Sequence, residues 1–174
     1  MLKPPVSDKD HIQGSQNASI ELVEYGDYQC PYCGRAFPIL KKIQTQLGDD
    51  LKFVFRNFPI EESHPDAMQA AVASEAAALQ NKYWEMHDTL YEHQYDLSEA
   101  GILRLAQKLK LDVKQFASDI QNEVLVQKVE VDFESGVRSG VNGTPGFFVN
   151  GQQYYDNWEY EYLLTYLKGL LELK

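Results

Sequence analysis

Two cysteines lie three positions apart in the segment Cys30-Pro31-Tyr32-Cys33, and the chain has no others. A secreted disulfide scaffold uses more cysteines at wider separations, so an isolated C-x-x-C pair asks for redox or metal chemistry. In disulfide exchange the attacking species is a thiolate. A free cysteine, with a pKa of ~8.5, is mostly protonated near neutral pH, so its anion must be stabilised. A helix N-terminus does this with unpaired N–H groups and the positive end of the helix dipole. Pro31 suits a first helical turn, where its missing N–H has no intrahelical partner. Cys30 is therefore assigned as nucleophile. Cys33, one turn on and on the same face, is assigned as the thiol that resolves a mixed disulfide. Three other readings compete. A structural disulfide across this spacing closes too short a loop to add much stability. Half a zinc site needs further ligands. Of His11, His64, His87 and His93, only His87 and His93 have a loosely fitting spacing, and both fall in a helical block without another cysteine. Two inert buried thiols fit poorly with placement at a helix start.

The elements that must position this pair can be read around it. Ile20 to Tyr25 reads as a strand and Gly26-Asp27-Tyr28-Gln29 as a loop. Phe37, Leu40, Ile43 and Leu47 recur at helical spacing, and Gly48 ends that helix. Leu51 to Phe58 reads as a second strand, stopped by Pro59. The result is a βαβ unit with the cysteines at the start of its crossover helix. Pro38, inside that helix, removes the bond to the Gly34 carbonyl and predicts a kink. Residues before Asn17 are polar with two prolines and read as an arm. From about residue 64 to 138 the chain is rich in alanine and helical periodicity, with helix starts at Ser98 and Asp112 and a further helix over Glu123 to Ser139. Strand character returns at Gly146 to Val149. Asn150-Gly151 then marks a hairpin into Gln152 to Tyr155, and a last helix starts from about Trp158.

Together these motifs resemble the thioredoxin superfamily, and specifically its DsbA-like thiol–disulfide oxidoreductases. Cys30-Pro31-Tyr32-Cys33 alone also matches glutaredoxins. Gly143-Thr144-Pro145-Gly146, ahead of a strand, resembles the cis-proline element of the fold, and a helical stretch separates it from Cys33 as in DsbA-like proteins. Tyr83-Trp84-Glu85-Met86-His87-Asp88 resembles their insert. The resemblance implies an α/β, thioredoxin-like fold with a four-stranded sheet and an all-helical insertion domain. The expected boundaries are 1–17 for the arm, 18–61 and 140–174 for the core, and 62–139 for the insertion. It implies that Pro145 is cis and that Thr144 hydrogen-bonds a substrate backbone as a short added strand. Glu24 shares a strand face with Ile20 and Leu22. It sits where DsbA-like proteins often carry a buried acid that relays protons to or from Cys33. Asp27, in the loop, is expected to be exposed. Pro31 and Tyr32 tune the thiolate. Tyr32 supplies no cation where DsbA has a histidine, which predicts a centre less oxidising than the DsbA value of ~−120 mV. Arg56 is expected to pair with an acid, and Tyr83, Trp84, Tyr154, Tyr155 and Trp158 are expected in packing.

The reaction class this implies is dithiol–disulfide exchange with protein or peptide substrates and a redox partner protein or glutathione. It needs no metal and no organic cofactor. Two alternatives remain: a kappa-type glutathione transferase or isomerase, against which Cys33 counts, and a non-catalytic peptide-binding chaperone. A net charge of −10 argues against nucleic acid and anionic membranes. No apolar run approaches the ~18 residues of a membrane span, so no membrane insertion is expected. Met1 to Asp8 lacks the apolar core of a signal peptide, so the reading is cytoplasmic as given, or periplasmic if a signal was removed. A monomer is expected.

Overall fold

The structure is a computed structural model that describes residues 1–173. Five strands, β1 (His11–Gly14), β2 (Ile20–Gly26), β3 (Leu51–Asn57), β4 (Gly146–Val149) and β5 (Gln152–Tyr154), form one sheet in the order β1-β3-β2-β4-β5. Helix α1 (Pro31–Leu47) connects the parallel pair β2 and β3, while the other neighbours are antiparallel. Between β3 and β4 run α2 (Ala67–Ala78), α3 (Tyr83–Glu92), α4 (Glu99–Lys108), α5 (Val113–Asp119) and α6 (Glu123–Ser139), and α7 (Tyr160–Glu172) closes the described chain. The helix starts follow side-chain chemistry. Ser98, Asp112 and Asn122 each accept an N–H from the first turn of the helix that follows. Gly140 closes α6 with a φ of +92°, a left-handed conformation that favours glycine. Among the described residues, no helix is long and apolar enough to cross a membrane.

β2 is the central strand, and its alternation divides the core. Ile20 and Leu22 face a large cluster with α1, α2, α3 and α7, and Val23 and Tyr25 face a smaller one with Val54, Phe58 and Phe148. Two expectations change here. The sheet has five strands, not four, and the fifth lies inside the segment read as an arm. His11–Gly14 carries little apolar signal, but it pairs with the open edge of β3, His11 opposite Phe55. Residues ahead of β1 are also packed. Leu2 is buried in the smaller cluster and its N–H donates to the Gly151 carbonyl. Lys3 N–H donates to Ser139 Oγ. The buried Arg56 guanidinium holds both carboxylate oxygens of Asp10, at 2.7 and 3.0 Å, and reaches the Pro4 carbonyl and the Tyr25 hydroxyl. Asp10 is thus the acid that sequence alone did not identify.

Candidate active site

Cys30 is the N-cap of α1 and Pro31 its first helical residue. The Cys30 N–H donates to the Asp27 carbonyl, and its own carbonyl accepts from Gly34 N–H, which begins the helix. No side chain caps this end, so the first-turn N–H groups are left for the sulfur. Both cysteines are free thiols and both are buried, Cys33 completely. The Thr144–Pro145 peptide is cis, and the loop that holds it faces the pair: in its protonated form Cys30 Sγ–H donates to the Thr144 carbonyl at 3.5 Å.

The two thiols are polarised in opposite directions. A hydrogen bond from the Cys33 thiol, aided by the Thr144 side chain and the Cys33 and Tyr32 amides, lowers Cys30 to about 5 against the cost of its burial. Cys33 is pushed well above the ordinary thiol value, first by burial, then by that same hydrogen bond and by the charge of Glu24. Cys30 is therefore a thiolate at neutral pH while Cys33 keeps its proton. Thr144 Oγ1 is buried with no hydrogen-bond partner among the described residues. A carbonyl cannot stabilise an anion, but this hydroxyl can turn to donate to the Cys30 thiolate.

Glu24 lies in the sheet between Phe55 on β3 and Phe147 on β4. It is 1% exposed, and its Oε1 has no partner among the described residues. Burial, then the nearby Cys30 charge, raises it to about 8. Pro31 and Tyr32 are exposed at the tip of the site. Beside Pro145 a surface groove is lined by Gly143, Gln153, Tyr155, Asn157 and Trp158, and Arg35 stacks over Trp158 while pairing with Glu159. Tyr83 packs in the core as expected, but Tyr155 is 82% exposed.

The expectation for Asp27 is corrected. It is buried, because three groups reach it: Oδ2 accepts from the Ile60 N–H and pairs with His64 Nδ1 at 2.8 Å, and Oδ1 accepts from Gln29 N–H. Ile60 and His64 come from the loop after β3, so nothing near Asp27 in sequence signals its burial. Gln94 was also missed. Its amide donates to the Tyr28 carbonyl at 2.7 Å and the Cys30 carbonyl at 2.9 Å, pinning the loop that presents Cys30. The histidines are engaged elsewhere: His87 Nδ1 meets Asp88, and His93 Nδ1 donates to the Thr89 carbonyl. Among the described residues, no group of three or more histidine, cysteine or acidic side chains is placed to hold a metal.

A family model described as thioredoxin matches residues 6–169. The Na(+)/H(+) antiporter NhaA 1 of Mycolicibacterium vanbaalenii is 40% identical over 171 residues, covering 97% of this chain and 28% of that protein. The chain thus spans little more than a quarter of the length of that relative. A thioredoxin-like oxidoreductase from Silicibacter pomeroyi is 26% identical with a TM-score of 0.84, covering 95% of this chain and 94% of that one. The thiol-disulfide exchange protein alpha-DsbA2 from Wolbachia pipientis shares the fold at 22% identity with a TM-score of 0.80, covering 97% and 89%.

Proposed function

The chain belongs to the thioredoxin family and has a DsbA-like fold, and on that premise we propose that it is a protein thiol–disulfide oxidoreductase working through Cys30 and Cys33. The observation that carries this reading is the asymmetry of the pair: one thiol lowered to about 5 at a helix start, its neighbour raised by burial. In the reducing direction the Cys30 thiolate attacks a substrate disulfide, and one substrate sulfur leaves as a thiolate. Cys33 then loses its proton and attacks Cys30 Sγ. The Cys30–Cys33 bond forms as the Cys30–substrate bond breaks, and the second substrate sulfur departs. The oxidising direction is the reverse. Thr144 and the groove beside Pro145 hold an extended stretch of substrate backbone, and Glu24 handles the proton of Cys33.

A stabilised thiolate favours the dithiol and makes a disulfide more oxidising. A Cys30 value of about 5 falls between those of thioredoxin (~7) and DsbA (~3.5). The expected potential accordingly lies between ~−270 and ~−120 mV, in keeping with the absence of a cation at Tyr32. Either direction is then open, set by the surrounding thiol pool. Equilibrating the purified protein in graded glutathione buffers measures this potential, and a value outside that window overturns the assignment. Loss of exchange on Cys30→Ser separates catalysis from peptide binding alone. Ion exchange is not carried over from the antiporter relative, because the likeness covers about a quarter of it and no helix among the described residues is long and apolar enough to cross a membrane.

A further inference from the structure

Gln94 lies in the turn between α3 and α4, 64 positions from Cys30, yet its side chain ends at the redox pair. Its Nε2 donates to the Tyr28 carbonyl at 2.7 Å and to the Cys30 carbonyl at 2.9 Å. A carboxamide nitrogen carries two N–H groups, so both are spent on the loop that leads into α1. Two carbonyl acceptors also fix which end of the amide faces that loop. One of the bonds lies before the Cys30 Cα and the other just after it. The Cys30 carbonyl accepts the Gly34 N–H as well, at 3.0 Å, so both of its lone pairs are occupied.

That grip bears on the sulfur through the backbone. Cys30 is the N-cap of α1 with φ −69° and ψ 124°, an extended conformation, while Pro31 is already helical. The angle ψ sets how the carbonyl and the helix after it are turned relative to the Cys30 side chain. The Tyr32 and Cys33 amides that stabilise the thiolate move with that carbonyl. A rotation about this bond swings the sulfur off those amides, and the hydrogen bonds from Gln94 resist it.

Gly34 points the same way. It lies inside α1 with no positive φ, so the backbone does not call for glycine there. Glycine weakens a helix interior relative to alanine, so its use here is spatial. A Cβ on Gly34 would stand 2.8 Å from Gln94 Cδ and closer still to Oε1. The first turn of the helix thus leaves a slot, and the Gln94 amide fills it. The turn that carries Gln94 is braced in its own right. His93 Nδ1 donates to the Thr89 carbonyl, Asp96 N–H to the His93 carbonyl, and Gln69 Nε2 to the Leu97 carbonyl.

We propose that Gln94 is a positioning residue for disulfide exchange: by gripping the Tyr28 and Cys30 carbonyls across the Gly34 slot, it holds the Cys30 sulfur over the amides of the first helical turn. This rests on the oxidoreductase reading and adds to it a residue that acts on the nucleophile through the backbone.

The test is an ultraviolet titration of the Cys30 thiolate in the reduced protein, with equilibration in glutathione buffers on the same samples. Gln94→Met fills the space without a donor. Gly34→Ala keeps Gln94 but expels its amide from the slot, and alanine suits the helix. Cys33, Thr144 and Glu24, the other groups that act on this sulfur, are retained. In each variant the thiolate fraction at a pH below the midpoint is expected to fall about tenfold, a midpoint higher by about one pH unit. The glutathione equilibrium is expected to move about tenfold toward the disulfide, a potential about 30 mV more negative. The double variant is expected to shift no further than either single one, because both changes remove the same contact. A merely structural role would lower the melting temperature and leave the titration where it is. An unmoved titration in either folded single variant overturns the proposal, as do shifts that add in the double variant. Gly34→Ala decides if Gln94→Met fails to fold. The titration needs no substrate, so its failure leaves the oxidoreductase assignment to Cys30→Ser and the wild-type potential.

Discussion

At the scale of single residues, Glu24 and Cys30 depart from their ordinary acidities in opposite senses for different reasons. Cys30 is anionic because the Cys33 S–H and the first-turn N–H groups converge on it at a helix start, with the Thr144 hydroxyl able to turn toward it. Glu24 holds its proton because it is buried with an unpartnered oxygen and sees a thiolate nearby. The sign for stability follows from the raised value. Stability is unaffected below the ordinary carboxyl range, falls as pH rises from that range to about 8 because the unfolded chain ionises Glu24 while the folded chain keeps it neutral, and this contribution is fully lost once the buried group itself ionises. Glu24→Gln is therefore expected to raise the unfolding free energy by about 5 kcal/mol at about pH 9 and to leave it nearly unchanged at about pH 4. Urea titrations at the two pH values measure this, and an equal effect at both would remove the buried-acid account. Strand alternation was enough to put Glu24 on the face of Ile20 and Leu22. The same reasoning failed at Asp27, whose burial depends on an amide and an imidazole arriving from beyond β3.

At the scale of elements, the site is a junction of one helix start, one strand end and two loops. The helix start was readable, since Pro31 and the C-x-x-C spacing both describe a first turn. Gln94 was not readable. It sits just past α3, carries no motif, and acts by filling the space over Gly34 while holding the Tyr28 and Cys30 carbonyls. Gly26 shows how tightly β2 meets the insert. A methyl group there would lie 2.4 Å from Phe55 Cε2 and 2.8 Å from Tyr91 Oη, both buried. Gly26→Ala is expected to cost about 1–3 kcal/mol through overpacking. It is also expected to slow disulfide exchange, because the end of β2 and the loop leading to Cys30 shift together. A thermal melt and a rate measurement on one sample read both effects, and a variant with wild-type melting behaviour would contradict the packing described for this strand.

At the scale of the whole molecule, the N-terminal residues seal the face of the sheet opposite α1. Helical periodicity located α6 at its observed limits, Glu123–Ser139. Local pattern could not show that the first residues are part of the core, because Arg56 and Asp10 are 46 positions apart and β1 exists only by pairing with β3. Breaking the buried pair with Arg56→Met leaves the Asp10 carboxylate without its partner and is expected to cost about 3–5 kcal/mol, whereas replacing both residues by apolar ones of similar size is expected to cost much less. Chemical denaturation of the single and double variants decides whether the pair or only the packing matters. The order of the sheet has one more consequence. Cys30 and the Thr144 carbonyl that receives it are 114 residues apart. A ribosome adding roughly 5–20 residues per second takes roughly 6–23 s to cover that distance. For that interval the nascent chain already carries both thiols but lacks the loop that completes their pocket, so the reactive centre is assembled only after the Thr144–Pro145 loop has been made.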